Sequence, residues 1–362
     1  MNEKWKEKYD DVGLFSEGLA WVRKDKKYGF VDKKGKVIIP LEYDDAGYFL
    51  EGCVCVEKNE KEGFIDKRGN IVVPLKYDHV SYFSEGLAWI MKNEKEGFVD
   101  KKGKIVIPLK YDFVGSFSEG LVRVRKDKKY GFVNKKGKLV IPLKYDYADS
   151  FSEGLARIEK DKKYGFVDKK GRIVIPLDYD DVGSFSEGLA WVEKDGKYGF
   201  VDKEGIIVVP LNYVHINSFS EGRARVRKDG KEGFVDKKGN IVVPLEYDSV
   251  DSFSEGLAWV EKDRKHGFVD KKGKIVIPLI YDDASSFSEG LAWVEKDGKY
   301  GFIDKKGKVI IPLEYDDTGP FSEGLAWVEK DGNYGFIDKK GNVNWIWYTK
   351  GEGDNNEGKL EN

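Results

Sequence analysis

The sequence predicts an all-β fold: ten tandem units of 34 residues, each a three-stranded antiparallel meander, stacked into an open solenoid or superhelix. Three observations carry this reading. Proline recurs every 34 residues from Pro40 to Pro312, the Phe of an F-S-E-G motif recurs ten times from Phe15 to Phe321, and a Gly-Phe pair recurs ten times from Gly29-Phe30 to Gly335-Phe336. Counted from Tyr9, the ten units reach Tyr348 without insertion or deletion, the signature of a repeat array. Helical repeats of this length exist. Here each unit carries proline and three glycines, which would break a helix, and fills the intervals with β-branched and aromatic residues.

The elements follow in order within unit one. Gly18-Leu19-Ala20-Trp21-Val22-Arg23 reads as a first strand, Tyr28-Gly29-Phe30-Val31-Asp32 as a second and Lys36-Val37-Ile38-Ile39 as a third. The first turn carries Asp-Gly in four units (Asp195-Gly196, Asp229-Gly230, Asp297-Gly298, Asp331-Gly332), the favoured centre of a type I′ hairpin. Lys26, Lys128 and Lys162 replace that glycine elsewhere, at a local cost of about 1–2 kcal/mol. The second turn, Asp32-Lys33-Lys34-Gly35, suits a type I turn closed by a left-handed glycine in a bulged hairpin. The Pro-Leu-x-Tyr-Asp-Asp segment reads as the connection to the next unit.

The type I′ turn places Trp21 opposite Phe30 and Arg23 opposite Tyr28. One face then carries the bulky Leu19, Trp21, Tyr28 and Phe30, and the other the small Ala20, Val22, Gly29 and Val31. Unlike faces suit head-to-tail stacking. A short meander cannot bury enough surface to stand alone, so the array folds or nothing does. A closed β-propeller is the alternative architecture, but its blades are usually four-stranded, longer and at most about eight in number. The ends also depart from the pattern, as the caps of an open stack do. Trp5, within an N-terminal cap at residues 1–8, sits where Ile39 would lie in a preceding unit, and the last unit replaces the proline strand with Asn342-Val343-Asn344-Trp345-Ile346-Trp347. Residues 9–348 read as one continuous array and 349–362 as a disordered tail.

The run Gly290 to Pro312, G-L-A-W-V-E-K-D-G-K-Y-G-F-I-D-K-K-G-K-V-I-I-P, resembles the bacterial WG β-repeat, also called the KWG repeat. The resemblance covers residues 9–348 and recurs in all ten units. The family usually has Trp before the Gly. This chain has Tyr28, Tyr130, Tyr164, Tyr198, Tyr300 and Tyr334, with Glu62, Glu96, Glu232 and His266 elsewhere, so no role of the family tryptophan carries over. The resemblance implies a repeat protein and no particular activity.

Composition narrows the function classes. Sixty-three Lys and Arg against 65 Asp and Glu leave a formal charge of −2, which argues against a strongly basic nucleic-acid binder. The lysine clusters (Lys24, Lys26, Lys27; Lys33, Lys34, Lys36) alternate with acidic residues such as Glu42, Asp44 and Asp45, so both sheet edges should be mixed in sign, with modest pairing between neighbouring units. No apolar run reaches the length of a membrane span. Met1-Asn2-Glu3-Lys4-Trp5-Lys6 lacks the apolar stretch of a secretion signal, and a cytoplasmic location is the expectation. Cys53 and Cys55, two positions apart on one strand, would form a strained disulfide and lack the company for a zinc site.

The repeated carboxylates, Glu17 to Glu323 and Asp32 to Asp338 with Asn134 as the exception, read as turn formers and surface partners. General acid/base chemistry needs two carboxylates in unlike environments, which equivalent copies do not provide. His79, His215 and His266 assemble no triad or metal spacing. No catalytic residue, metal or cofactor is expected. One variable column stands out: Trp21, Cys55, Trp89, Arg123, Arg157, Trp191, Arg225, Trp259, Trp293 and Trp327. A sealed core position would not take both Trp and Arg, so the column should be half-exposed. Stacking of these long side chains on one another between repeats is the structural alternative. The expected function is a non-enzymatic scaffold that binds another protein through Trp21, Trp89, Arg123, Arg157, Trp191, Arg225, Trp259, Trp293 and Trp327. Binding of a glycan by the same row is the second reading and an enzyme the third; no nucleic acid or membrane partner is expected.

Overall fold

The computed structural model describes residues 4–346; the tail read at 349–362 and the end of the array at Tyr348 lie outside them. Apart from one 3-10 turn at Lys6–Lys8, every regular element among the described residues is a β-strand. The strands form ten sheets, each open and antiparallel, with four strands in sequence order. In repeat 1 these are β1 (Asp11–Val12), β2 (Leu19–Lys24), β3 (Lys27–Asp32) and β4 (Val37–Tyr43). Repeat 2 follows with β5 (Asp45–Ala46), β6 (Cys53–Lys58), β7 (Lys61–Asp66) and β8 (Ile71–Tyr77).

The unit is therefore four-stranded, which corrects the three-stranded meander read from the sequence. The connecting Tyr-Asp-Asp segment adds a two-residue strand: Asp45 pairs with Glu57 and Ala46 with Val56. Two residues are too few for a periodicity to reveal, and aspartate is poor strand material. The third strand also runs on past its proline to Tyr43. Register shifts between Tyr28 and Phe30, and between Phe30 and Val31, absorb the extra residues on β4. Proline cannot donate to the ladder, and it sits on an edge strand within this irregular stretch. The last strand, Val343–Ile346, has no proline and pairs with residues 334–337 one for one.

Both turns take their expected form. Asp25 and Lys26 have φ of 52° and 63°, the double left-handed geometry of type I′ even without glycine. Asp32 N–H donates to Lys36 O and Gly35 N–H to Asp32 O, both at 2.9 Å, and Gly35 has φ of 79°. A third tight turn lies at Glu17-Gly18, with φ of 49° and 94° inside the Ser16–Leu19 bridge.

The chain divides into two compact units, Met1–Asp178 and Tyr179–Asn362, which correspond to repeats 1–5 and 6–10. Within each unit the bulky face of one sheet packs on the small face of the next. In the first unit, Leu19, Phe30, Ile39 and Tyr43 pack against Phe49, Val54, Val56 and Ile65. In the second, Leu291, Phe302, Ile311 and Tyr315 meet Phe321, Ala326, Val328 and Ile337. The register that creates these faces, Trp21 opposite Phe30 and Arg23 opposite Tyr28, is the one expected. Within each unit the junctions add a Phe–Phe contact, edge-on in Phe30–Phe49 at 5.0 Å and Phe302–Phe321 at 4.8 Å and tilted in Phe64–Phe83 at 4.6 Å. At the N-terminal end Trp5 lies against Gly35, as Ile39 lies against Gly69, and its ring is 6.3 Å from Phe15. At the other end, among the described residues, the bulky face of repeat 10 is open: Leu325 and Phe336 are 46% and 45% exposed, against 8% and 0% for Leu291 and Phe302.

Within each unit the F-S-E-G motif fastens one sheet to the next. Ser16 Oγ–H donates to Phe49 O at 2.6 Å, and the Glu17 carboxylate accepts Gly52 N–H at 3.1 Å and pairs with Lys67 at 2.9 Å. The same glutamate–lysine pairing, 50 residues apart, recurs at Glu119–Lys169, Glu187–Lys237, Glu255–Lys305 and Glu289–Lys339. A second tie joins Lys27 to Asp44, whose other oxygen accepts Asn59 N–H at 2.7 Å and so holds the first turn of its own repeat. The charges of neighbouring repeats thus meet at spacings of 17 and 50 residues.

The Lys67 ammonium holds the Glu17 carboxyl below its ordinary value of 4.5, opposed by burial and helped by Gly52 N–H; Lys27 does the same for Asp44, whose ordinary value is 3.8. Groups depressed in the folded state contribute stability that is complete above their unfolded values and lost as pH falls through the folded ones. The melting temperature, followed by circular dichroism, is therefore level from about pH 7 to about pH 5 and falls below about pH 4.5. The fall is shallower in high salt, because these pairs are exposed and screened.

The glycine of the Gly-Phe pair has a steric reason. A Cβ on Gly233 would stand 2.4 Å from Val243 O and 2.6 Å from Pro244 O, both backbone atoms of the neighbouring strand. Gly233→Ala should cost about 3 kcal/mol, the upper end for overpacking, in urea unfolding of the full chain.

Candidate functional site

The residues singled out from the sequence lie on strand two of each repeat, at the mouth between consecutive sheets. Trp21, Trp89, Arg123, Arg157, Trp191, Arg225, Trp259 and Trp293 are half-buried, and Trp327 is exposed. Among the described residues no ring-to-ring contact joins one tryptophan of the column to the next. From Trp21 to Trp293 each Trp or Arg instead meets the residue diagonally across the hairpin, two positions before the Phe. Trp21–Tyr28, Trp191–Tyr198 and Trp293–Tyr300 have ring centroids 5.4, 5.9 and 5.5 Å apart, and Trp259–His266 5.1 Å. The guanidinium of Arg123 lies 5.6 Å from the centre of the Tyr130 ring and that of Arg157 4.8 Å from Tyr164, in cation–π range. Where the partner is Glu the contact is polar: Trp89 Nε1–H donates to Glu96 Oε2 at 3.0 Å, and Arg225 Nη2 to Glu232 Oε1 at 2.7 Å. Trp and Arg alternate here because either can lie flat along a half-buried strand and find a partner.

The glutamates that replace the expected aromatic have a structural task. Glu62, Glu96 and Glu232 accept the backbone N–H of Val80, Val114 and Val250, on the first strand of the following repeat. In other repeats an aspartate one residue earlier caps that same N–H, as Asp45 does for Ala46 and Asp283 for Ala284. The following repeat has His79, Phe113 or Ser249 at that aspartate position wherever the glutamate occurs. Glutamate and aspartate thus substitute for one another across the repeat boundary. Reading the two columns together exposes the signal; either alone hides it.

The other candidate groups are likewise engaged. Asp32 Oδ1 accepts Lys34 N–H and Lys36 N–H, and Asn134 does the same for Lys136 and Lys138, so the position needs an acceptor and no negative charge. His79 lies 3.4 Å from Glu62, and His266 Nδ1 lies 3.0 Å from Asp282 O. Both cysteines are free, and burial, with Glu62 and Asp45 nearby, pushes the Cys55 thiol up to about 12. It stays protonated and a poor nucleophile. Among the described residues no three His, Cys, Asp or Glu come together as a metal would require, and no helix is long and apolar enough to cross a membrane.

Two clefts in the first unit depart from the regular packing. One, of about 370 Å³, lies along repeats 1–3 and is lined by Trp21, Tyr28, Tyr48, Cys55, Glu62 and Tyr82 among others. The larger, of about 640 Å³, lies between repeats 3 and 4 and brings Trp89 and Arg123 together with Tyr82, Phe113 and Phe117. Its cause is local. The first strand of repeat 4 runs over Phe113–Ser118 with a break in register between Val114 and Phe117. Phe117 is only half-buried, unlike Phe83 and Phe151 at 3%. Glu85 pairs with Lys135, yet it is 67% exposed where Glu17 is 31%.

Sequence reasoning missed Tyr48, Tyr82, Phe113 and Phe117. The residue before the repeated Phe reads Leu14, Tyr48 and Tyr82, then serine from Ser116 through Ser286, and that change marks the first three repeats. It also missed an outer row on the fourth strand, where Ile71, Ile173 and Ile241 are 63%, 48% and 53% exposed. A continuous apolar run does not reveal which alternate residues face out.

A profile of the WG-containing repeat matches residues 8–28, 28–61, 63–95, 97–130, 130–164, 164–198, 198–231, 233–265, 267–300 and 300–334. No curated protein matches the chain significantly. Among solved structures it is similar to a eukaryotic initiation factor at 12% identity, TM-score 0.37, over 82% of this chain and 96% of that one. It is similar to BamB from Moraxella catarrhalis at 9% identity, TM-score 0.29, over 96% and 99%. The WD40 domain of Pan2 from Neurospora crassa is similar at 12% identity, TM-score 0.25, over 60% and 84%.

Glu232 is the most buried of the boundary glutamates, at 3%. Glu232→Ala strands the Arg225 guanidinium and the Val250 N–H and should cost about 3 kcal/mol in denaturant unfolding. Adding Ser249→Asp, which restores the cap used in other repeats, should recover about 1 kcal/mol.

Proposed function

The chain belongs to the WG-containing repeat family, and on that footing we propose that it is a non-enzymatic scaffold that binds another protein. The observation that carries this reading is the placement of the Trp/Arg column. From Trp21 to Trp293 these residues are half-buried and held by a partner on the neighbouring strand, and they offer large amphipathic edges whose ordering is largely complete before any partner arrives; Trp327 is exposed. Trp, Tyr and Arg are the side chains that dominate protein interfaces. The exposed aliphatic row on the fourth strand, including Ile173 and Ile241, adds apolar surface of the kind that marks protein contact. The repeated carboxylates favour a scaffold over an enzyme, because they hold backbone N–H groups and lysines between and within repeats.

The test is a two-residue change in the second unit. A protein recovered by affinity capture on the intact chain should be lost, by tenfold or more in retained amount, on Trp293→Ala combined with Trp327→Ala. The melting curve of the variant reports that the array is intact. Undiminished capture by the folded variant removes the row from the binding surface.

A further inference from the structure

We propose that the cleft between repeats 3 and 4 binds a neutral oligosaccharide. The cleft takes Trp89 and Arg123 from the Trp/Arg column, but it rests on a break in the repeat pattern, not on the pattern. The cleft is walled by Tyr82, Trp89, Phe113 and Phe117. Two ties fix the Trp89 side chain and backbone: Nε1–H donates to Glu96, and Trp89 N–H donates to Ser81 Oγ at 3.0 Å. Glu96 in turn accepts Val114 N–H at 2.7 Å, so the indole and the far wall of the cleft share one carboxylate. An indole held in this way is a pre-organised platform, and the C–H face of a pyranose ring is the apolar, nearly flat surface that stacks on one.

The polar lining matches the same ligand. Ser84, Ser116 and Ser150 border the cleft, and a serine hydroxyl both donates and accepts, as a sugar hydroxyl requires. The charged groups are already engaged. Lys135 pairs with Glu85, and Arg123 donates to Ala148 O while lying 3.7 Å from Asp149. A neutral ligand has neither ion pair to displace. The volume, about 640 Å³, is that of a small-molecule site.

Tyr82, 54% exposed, lines both this cleft and the smaller one that holds Tyr48 and Trp21. Stacked sheets lie about 10 Å apart, so one linear chain of several sugar rings can follow the aromatic side chains from one cleft to the next. Repeats 4–9 carry serine and repeat 10 carries Pro320 where Tyr48 and Tyr82 stand, which places the ligand on the early repeats of the first unit.

The experiment titrates the full chain with cellohexaose, chitohexaose and xylohexaose, followed by tryptophan fluorescence and calorimetry. At least one should saturate with a measurable heat, and Tyr82→Ala should weaken it tenfold or more. Tyr82 is exposed, so that variant folds, as its melting curve will report. Leu14→Ala changes the same repeat position, 77% exposed and outside both clefts, and should leave affinity unchanged. Absence of saturable binding by all three sugars at millimolar concentration overturns the proposal. So does binding that is indifferent to Tyr82→Ala, or weakened equally by Leu14→Ala. None of these outcomes bears on capture of a protein through Trp293 and Trp327.

Discussion

Everything in this molecule depends on one sheet having two unlike faces. Alternation along strands two and three sends Leu19, Trp21, Tyr28 and Phe30 to one side and Ala20, Val22, Gly29 and Val31 to the other, so the large side chains of one repeat meet the small ones of the next. The complementarity is directional. A bulky face cannot pack tightly on another bulky face, and the chain therefore stacks in a single sense within each five-repeat unit. The glycine before the Phe belongs to the same constraint. It lies where the backbone of the fourth strand passes within 3 Å of any added Cβ, and that proximity lets the proline-bearing strand close the sheet.

Apolar faces set the order of stacking but are forgiving about lateral position, and the polar ties correct this. The F-S-E-G glutamate is held at positive φ, a conformation that costs a non-glycine residue about 1–2 kcal/mol. It persists in the same place in repeat after repeat because its carboxylate reaches the amide and lysine of later repeats. The strain is local and the return is long-range: a turn that would suit glycine carries glutamate so that it can hold its neighbour. These pairs are exposed and individually weak. Their value lies in repetition at fixed spacing, which penalises any slip of one sheet over the next at every junction within a unit.

Much of the fold was legible because the chain repeats itself. The period, the two hairpin turns, the cross-strand register and the division into bulky and small faces all follow from local rules applied to Asp-Gly, Pro and alternating residues. The fourth strand was not legible, since Asp45-Ala46 is too short for any pattern and its pairing partner, Val56-Glu57, is set by tertiary context. The half-burial of the Trp/Arg column could be inferred from its chemistry, because no sealed site accepts both side chains. The partner of each member could not: stacking down the column and stacking across the hairpin are equally consistent with a list of residues. Glu62, Glu96 and Glu232 looked like departures from a family pattern. They are the other half of a cap shared with Asp45 or Asp283, visible only when a position is read against one seventeen residues later.

In a molecule this regular, information lies in the exceptions, and they are of two kinds. Some are compensated: glutamate replaces aspartate as a cap, and asparagine replaces aspartate in a turn with the same two hydrogen bonds. Compensated exceptions preserve the array and say nothing of a ligand. Others are left open. Between repeats 3 and 4 the first strand lengthens, Phe117 rises out of the core, Glu85 swings into solvent, and no other side chain fills the gap, which keeps about 640 Å³ of aromatic and hydroxyl-lined space. A scaffold under pressure only to stack would close that space with a larger side chain at Ser84 or Ser116, as it closes the same junction elsewhere with a buried phenylalanine. The opening lies beside Tyr48 and Tyr82, both exposed, at a position where repeats 4–9 carry serine, so the departure from regular packing and the departure from the repeat sequence fall in the same place.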